Sequence, residues 1–265
     1  MKKIVTLYLA ALFFLCLPNY SFPQPQDVSF SNGLKIKPGA YFEYFDRKIT
    51  WDEKQHTSEL KSYIFALNVE LEINEGLSIS ALAGYTLSNY DSLVFRQLPF
   101  SVELDAGDVG GYIFGAEARK SLLYTNNIEF GLYGQFVYHI GKEKNWDIPG
   151  LSVTGTVTGK PTWMRAYAGP YFKYTGFESF SPYLSVGYNN LWGKFEMEQT
   201  FQPLDRPEPL EGTEEKKLKS KSLVDITIGS ILTLNDYFFL KGEVHILPYG
   251  DGMDLGFVAI AAFSF

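Results

Sequence analysis

The chain has 265 residues, a formal net charge of −7 and one cysteine. An acidic chain is a poor partner for nucleic acid, whose phosphates are bound by basic surfaces, so we expect no nucleic-acid partner. No apolar run of about 18 residues follows Leu17, which excludes a helical membrane protein beyond the N-terminal segment. No linker-like stretch divides the chain, so we expect one domain.

The N-terminus has the layout of a secretory signal peptide. Residues 1–3 form a short, positively charged segment. Residues 4–17 are mostly apolar and are followed by turn-forming residues. That run is shorter than the roughly 20 residues of a spanning helix. We therefore expect residues 1–22 to be a cleaved signal peptide and residues 23–265 to be the mature domain. Cys16 is then removed, and the mature chain has no disulfide.

From Leu34 onward, apolar residues recur at every second position. In residues 63–73 the odd-numbered side chains are all apolar, whereas the even-numbered ones include Asn68, Glu70 and Glu72. A period of two indicates a β-strand with one apolar face. Eleven residues are enough for a tilted strand to cross a membrane, so we expect the apolar face to meet lipid and the mixed face to line a lumen.

The same pattern predicts an all-β fold, an antiparallel up-and-down transmembrane β-barrel with ten strands, eight or twelve being the alternatives. The predicted strands are 34–45, 62–73, 77–90, 110–120, 127–140, 163–174, 183–196, 222–233, 237–247 and 254–265. Short connections alternate with longer ones at 47–61, 91–109, 141–162, 197–221 and 248–253. Such barrels have short turns on one side and long loops on the other. A soluble sandwich or lipocalin-like barrel is the competing fold, but its strands are shorter.

Aromatic residues lie near the predicted strand ends, where they suggest a girdle at the membrane interface. The set comprises Trp51, Tyr63, Tyr90, Tyr112, Tyr124, Tyr138, Trp163, Tyr174, Trp192 and Tyr237. Ordinary strand propensity is the alternative explanation.

The last strand ends in Phe263-Ser264-Phe265 with alternate apolar residues before it. This resembles the assembly signal of bacterial outer-membrane barrels, although Ile260 stands where that signal often has glycine. The resemblance implies residence in the bacterial outer membrane, contact with its lipid and lipopolysaccharide, and recognition by the barrel-assembly machinery through the strand ending in Phe265.

Ten strands with outer loops also resemble the omptin proteases and, equally, small opacity-type adhesion barrels. Omptins carry two aspartates two positions apart and a separate Asp-x-His sequence. This chain has no Asp-x-Asp, and its nearest form of the second motif is Glu243-Val244-His245. The resemblance therefore covers architecture without the omptin catalytic motifs.

The predicted lumen face carries acids and bases together. Its central members are Glu70, Glu117, Arg119, Glu129, Arg165, Lys241 and Glu243. A ten-stranded barrel is only slightly wider than an eight-stranded one that side chains can fill, so opposite charges should pair across it. We expect a lumen plugged by charge pairs, with a narrow pore for ions or small solutes as the alternative.

Three histidines raise the question of catalysis. His56 lies in a predicted loop, whereas His139 and His245 face inward. Counting residues in both directions from the predicted hairpin turn at Asn235 places Asp225 opposite His245. A carboxylate can orient an imidazole as a general base. The same pair can equally satisfy a buried histidine. A hydrolase using His245, with Asp225, Glu243 and His139 as further candidates, is therefore the weaker alternative to a non-enzymatic barrel.

The predicted loop 197–221 contains blocks of acidic and basic residues. It reads as a solvated mobile hairpin or, alternatively, as a contact surface for an extracellular partner or lipopolysaccharide. In the second reading Lys216, Lys217, Lys219 and Lys221 would meet phosphates. No nucleotide-loop, paired-cysteine or zinc-protease motif occurs in the mature chain, so we expect no cofactor and no metal. The sequence favours an envelope or loop-mediated interaction role.

Overall fold

The computed structural model describes residues 34–265 except 52–56, 75, 92, 97–98, 100–101, 147–153, 203–206 and 236. The predicted signal peptide and His56 lie outside the described residues. No helix within the described ranges is long and apolar enough to cross a membrane.

The described residues form fourteen strands. Their bounds are β1 (Lys35–Trp51), β2 (Thr57–Asn74), β3 (Leu77–Tyr90), β4 (Leu93–Phe95), β5 (Val102–Leu104), β6 (Gly107–Thr125), β7 (Ile128–Gly141), β8 (Lys144–Trp146), β9 (Thr154–Tyr174), β10 (Phe180–Gln202), β11 (Leu210–Ser220), β12 (Val224–Asn235), β13 (Phe238–Tyr249) and β14 (Gly252–Phe263).

Ten of these strands close into a ring in which every neighbour is antiparallel. The ring runs β1-β2-β3-β6-β7-β9-β10-β12-β13-β14, and β14 returns to β1 with Ala262 opposite Gly39. Hydrogen bonds between the backbones of Ile36 and Phe265, at 3.1 and 3.3 Å, continue this seam to the last residue. The predicted ten-stranded up-and-down barrel is confirmed.

Two ends of the barrel differ. The turn end holds the connections at Gly76, Asn126-Asn127, 175–179 and Tyr237, together with the start of β1 and the end of β14. The loop end holds the remaining connections. Gly76 has a φ of 76°, a left-handed backbone that a side chain would strain.

Several predicted loops are strand instead. The stretch predicted as loop 197–221 contains the end of β10 and all of β11, which pair with each other, so its described part is mainly a strand hairpin. The stretches at 47–61 and 141–162 are also largely strand, and the connection at 248–253 is a two-residue turn. Strands in this barrel are longer than the roughly 9 to 11 residues that cross a membrane. At the loop end their outer faces are polar, and this polar sequence was interpreted as loop.

The barrel changes its strand number along its axis. β11 pairs with β10 on one side and, through Ile49 opposite Ser220, with β1 on the other. At the loop end β11 therefore takes the place of three strands: β12, which begins only at Val224, and β13 and β14, which meet at the turn of Gly250 and Asp251. The described ring thus has ten strands toward the turn end and eight at the level of β11.

The alternation of faces follows the sequence pattern. In β1, Tyr41, Glu43 and Phe45 are buried inside the barrel, whereas Phe42 and Tyr44 lie on its outer face. The outer face carries a belt of exposed apolar residues. Its most exposed members include Phe65, Leu67, Phe114, Leu132, Phe136, Phe172, Leu184 and Ile228. An apolar surface this extensive marks contact with lipid or protein.

Tyrosines border this belt on both sides. Tyr124, Tyr174 and Tyr237 are exposed near the turn end, and Tyr63 and Tyr112 are exposed toward the loop end. Three residues predicted for the girdle, Trp51, Tyr90 and Trp163, are instead buried inside the barrel. Each lies at an inward position of its strand. Its side chain therefore points into the barrel, wherever the residue lies along the barrel axis.

Candidate functional site

The polar interior is centred on Arg165 of β9 and Glu43 of β1. Both nitrogens of the Arg165 fork bond the Glu43 carboxylate, Nη2 to Oε2 at 2.9 Å and Nη1 to Oε1. The Tyr41 hydroxyl donates to the same carboxylate at 2.7 Å. Arg165 Nη2 also donates to Gln135 Oε1 at 3.0 Å. A buried bidentate pair with these additional bonds fixes the spacing of β1, β7 and β9 across the lumen.

Glu117, the next predicted network residue, is linked to this pair through Gln135. Gln135 Nε2 donates to Glu117 Oε1 at 2.6 Å, and the Ser80 hydroxyl donates to Oε2 at 3.4 Å. The amide of Gln135 thus joins an arginine on one side to a carboxylate on the other. Neutral side chains therefore connect charged groups that do not contact each other directly.

A second layer lies closer to the turn end. Lys241 Nζ is 2.9 Å from Glu243 Oε1, and the Tyr183 hydroxyl donates to the same carboxylate oxygen. Arg119 lies beside this layer, with its guanidinium carbon 5.6 and 5.5 Å from the ring centroids of Tyr133 and Tyr171. Cations over aromatic rings are stabilised by the ring quadrupole.

The remaining predicted network residues, Glu70 and Glu129, line a vestibule of about 290 Å³ at the turn end. Lys37 Nζ lies 3.4 Å from Glu70 Oε1 and 2.7 Å from Glu72 Oε2. Glu129 is paired with Lys173 and accepts a hydrogen bond from Tyr171 at 2.5 Å. The predicted set therefore forms several local groups instead of a single cluster.

The structure brings His245 and Asp225 together. His245 Nδ1 lies 3.0 Å from Asp225 Oδ2, and its Nε2 lies 3.6 Å from Glu243 Oε2. Both ring nitrogens thus face carboxylates, and only the imidazolium form can donate to both. Asp225 also accepts bonds from Asn189 at 2.6 Å and Thr227 at 3.1 Å. This arrangement suits a structural imidazolium better than a general base.

His139 has different surroundings. It is fully buried, stacks on Trp163 with ring centroids 4.9 Å apart, and neither ring nitrogen has a hydrogen-bond partner. It does not contact His245 in any hydrogen bond or ring pair of the described residues. The two inward histidines therefore do not form one site.

Arg47 was missed by the sequence reasoning, which placed it in a loop. It is buried, and its Nη1 donates to Asn189 Oδ1 at 2.9 Å while Nη2 donates to the Ser222 carbonyl at 3.2 Å. Its odd position in β1, in phase with Glu43 and Phe45, was the available signal that it faces inward.

Above these polar layers, the loop-end half of the interior holds a large apolar core, beside which polar side chains such as Ser62, His139 and Gln199 are also buried. Phe195 lies in edge contact with Tyr90 at 5.5 Å and packs against Phe95 at 5.9 Å between ring centroids. The core there also includes Ile49, Trp51, Leu60, Ile64, Val109, Ile113, Val137, Trp163, Leu191, Met197, Phe201 and Leu218. The predicted charge plug thus fills only part of the lumen, because many inward positions at this end carry aromatic or aliphatic side chains.

The short hairpin of β4 and β5 covers this apolar core. Leu93 and Phe95 are buried against it, and Pro99 lies against Gly212 of β11. Between the vestibule and the core, two interior spaces measure only about 10 and 20 Å³. Each is about the size that one water molecule needs.

The lysines of the predicted loop 197–221 point in two directions. Lys216 lies inward, with its Nζ 2.9 Å from Glu214 Oε1, so it cannot meet an external phosphate. Lys217, Lys219 and Lys221 are exposed on the outside. No group of three or more histidine, cysteine or acidic side chains within the described ranges is arranged to hold a metal ion.

Comparisons with known proteins give only distant likenesses. No family model and no curated protein matches the chain. Among solved structures, the outer membrane protease OmpT from Escherichia coli is similar at a TM-score of 0.42 and 10% identity, with 91% of this chain and 99% of that chain covered. The attachment invasion locus protein Ail of Yersinia pestis gives 0.30 and 12%, covering 89% and 100%. An outer membrane channel from Pseudomonas putida F1 gives 0.38 and 10%, covering 94% and 100%.

Proposed function

We propose that this protein is a non-enzymatic integral barrel of the bacterial outer membrane with a closed lumen, and that it acts through the part that projects beyond the lipid. The filled interior is the observation that carries this proposal. Two polar layers, an apolar core and a covering hairpin occupy the lumen above the vestibule, and the spaces between them hold one water molecule at most. A solute pathway has no support in such an interior.

Placement in the membrane is supported by the apolar belt and its tyrosine borders. Single-chain bacterial barrels keep short turns and both chain ends in the periplasm. The turn end would then face the periplasm and the loop end the outside. The strand ending in Phe265, whose final residue is exposed, is the segment that we propose the assembly machinery recognises.

The projecting part is formed mainly by β9, β10 and β11. A tilted strand crosses the membrane in roughly 9 to 11 residues, whereas β9 has 21 and β10 has 23. The outer faces of β10 and β11 carry charges of both signs, for example Lys194 bonded to Glu215 at 3.0 Å. A strand hairpin with charges of both signs suits contact with an extracellular partner or with lipopolysaccharide.

The absence of catalysis is supported by the surroundings of His245. Its two ring nitrogens face Asp225 and Glu243, and it lies beneath the apolar core at the loop end. Among the described residues, the hydroxyl bonded to His245 is that of Thr227, and it shares Nδ1 with Asp225. His245 is thus held as part of the lumen wall.

An epitope inserted at 203–206, between β10 and β11, tests the proposal. Antibody should label it on intact cells, whereas an epitope at Asn126-Asn127 should be labelled only after permeabilisation. Labelling of the second epitope on intact cells would reverse the orientation. Cleavage of a lipid or peptide by the parent that is lost in His245→Ala would replace the proposal with the hydrolase.

A further inference from the structure

The vestibule at the turn end is a cavity that the closed-lumen role does not use. It measures about 290 Å³, close to the lower bound of roughly 300 Å³ for small-molecule sites. Its wall includes five basic side chains and three carboxylates. These are Lys35, Lys37, Arg119, Lys173 and Lys241 against Glu70, Glu72 and Glu129.

Three of the basic side chains are already neutralised. Lys37 is bonded to Glu70 and Glu72, Lys173 to Glu129, and Lys241 to Glu243. Each carboxylate of the wall is thus held by a lysine. With Glu243 counted, five basic side chains face four carboxylates among the described residues, which leaves one positive charge in excess, and the basic side chains outside these pairs are Arg119 at the floor and Lys35 at the rim.

Arg119 supplies the charge at the floor. Among the described residues it forms no ion pair and no hydrogen bond, and Glu70, a carboxylate of the same vestibule, is held by Lys37. The rings of Tyr133 and Tyr171 lie against its guanidinium, at 5.6 and 5.5 Å. This packing places the guanidinium beside the cavity, where its N–H donors have no hydrogen-bond partner among the described residues.

We propose that the vestibule binds a small anion, a carboxylate or phosphate, which Arg119 grips through its guanidinium. A guanidinium fork matches the two oxygens of either group, and a bond of this kind is stronger than one between neutral partners. Lys35, exposed at the rim, adds attraction on entry. Ile231 and Phe239 add an apolar wall, so a short organic acid fits as well as free phosphate. The ligand enters from the turn end, so this proposal does not depend on the role proposed for the loop end.

Calorimetry on the purified barrel in an uncharged, phosphate-free detergent tests this site. Succinate and inorganic phosphate are the probes, titrated at constant ionic strength. The parent should bind at least one of them saturably with one site per barrel. Arg119→Gln should weaken that binding about tenfold to a hundredfold, the range for a lost hydrogen bond to a charged group. Lys160 is an exposed residue at the loop end that pairs with Glu143. The Lys160→Gln variant should therefore bind the probes as the parent does.

Lys35→Gln keeps the test open if Arg119→Gln does not fold. It leaves the interior intact and should weaken binding about twofold to fivefold, as expected for one exposed charge. No binding of either probe to the parent would overturn the proposal. Parent-like binding by folded Arg119→Gln, or an equal loss in Lys160→Gln, would also overturn it, because attraction would then reflect net charge alone.

Discussion

At the scale of single residues, the Arg165 and Glu43 pair has the largest expected energetic effect. Both side chains are buried, and the two terminal nitrogens of Arg165 bond the Glu43 carboxylate, so removing one partner leaves a charge without compensation. Breaking a buried pair costs about 3 to 5 kcal/mol. Replacing both partners by uncharged side chains of similar size costs less, since no orphaned charge remains.

We therefore expect Arg165→Ala to lower the free energy of unfolding in detergent or lipid by about 3 to 5 kcal/mol. The double variant Glu43→Gln with Arg165→Met should recover part of that loss. Lys160→Ala, which breaks an exposed pair, should change it by about 0 to 1 kcal/mol. Denaturant titrations measure all three. A double variant less stable than Arg165→Ala would show that the pair is not the source of the loss.

Sequence reasoning reached some of these contacts and not others. His245 and Asp225 lie on neighbouring strands of one hairpin, and counting from its turn placed them together. Glu43 and Arg165 are separated by 122 positions and meet across the lumen. Their pairing depends on the stagger of all the intervening strands, which alternation does not specify.

At the scale of strands, the alternation of apolar residues identified the outer apolar face of each strand. The height of a residue along the barrel axis was harder to predict from the sequence. Trp163 and Arg165 are two positions apart in β9 and so share a face. The inward prediction for Arg165 already implied an inward Trp163, yet aromatic character suggested the girdle. Strand length was also underestimated at the loop end, where polar outer positions resemble loop sequence.

Depth within the belt gives a test at this scale. Leu67 is 73% exposed in the middle of β2, and Leu123 is 64% exposed near the turn end of β6. An arginine facing lipid costs roughly 2 to 4 kcal/mol at mid-membrane and about 0 to 1 near the interface. Leu67→Arg should therefore destabilise the barrel in lipid vesicles much more than Leu123→Arg does. Equal losses from the two variants would contradict the position assigned to the belt.

At the scale of the whole molecule, the change from ten strands to eight explains how the lumen is closed. Narrowing toward the loop end brings inward aromatics such as Phe195 and Trp163 into one apolar core, which the β4 and β5 hairpin covers. The wider ten-stranded part is filled by the polar layers, and only the vestibule stays open. Closure thus results from two kinds of packing, each suited to the local width.

Electrical recording in a planar lipid bilayer tests this closure most directly. After insertion, verified by the shift in gel mobility between folded and heated protein, the parent should give no steady conductance above the bare membrane. Arg165→Ala, which opens the polar layer but keeps the apolar core, should also remain silent. Steady, single-sized current steps from the parent would contradict a closed lumen and would make the barrel a channel.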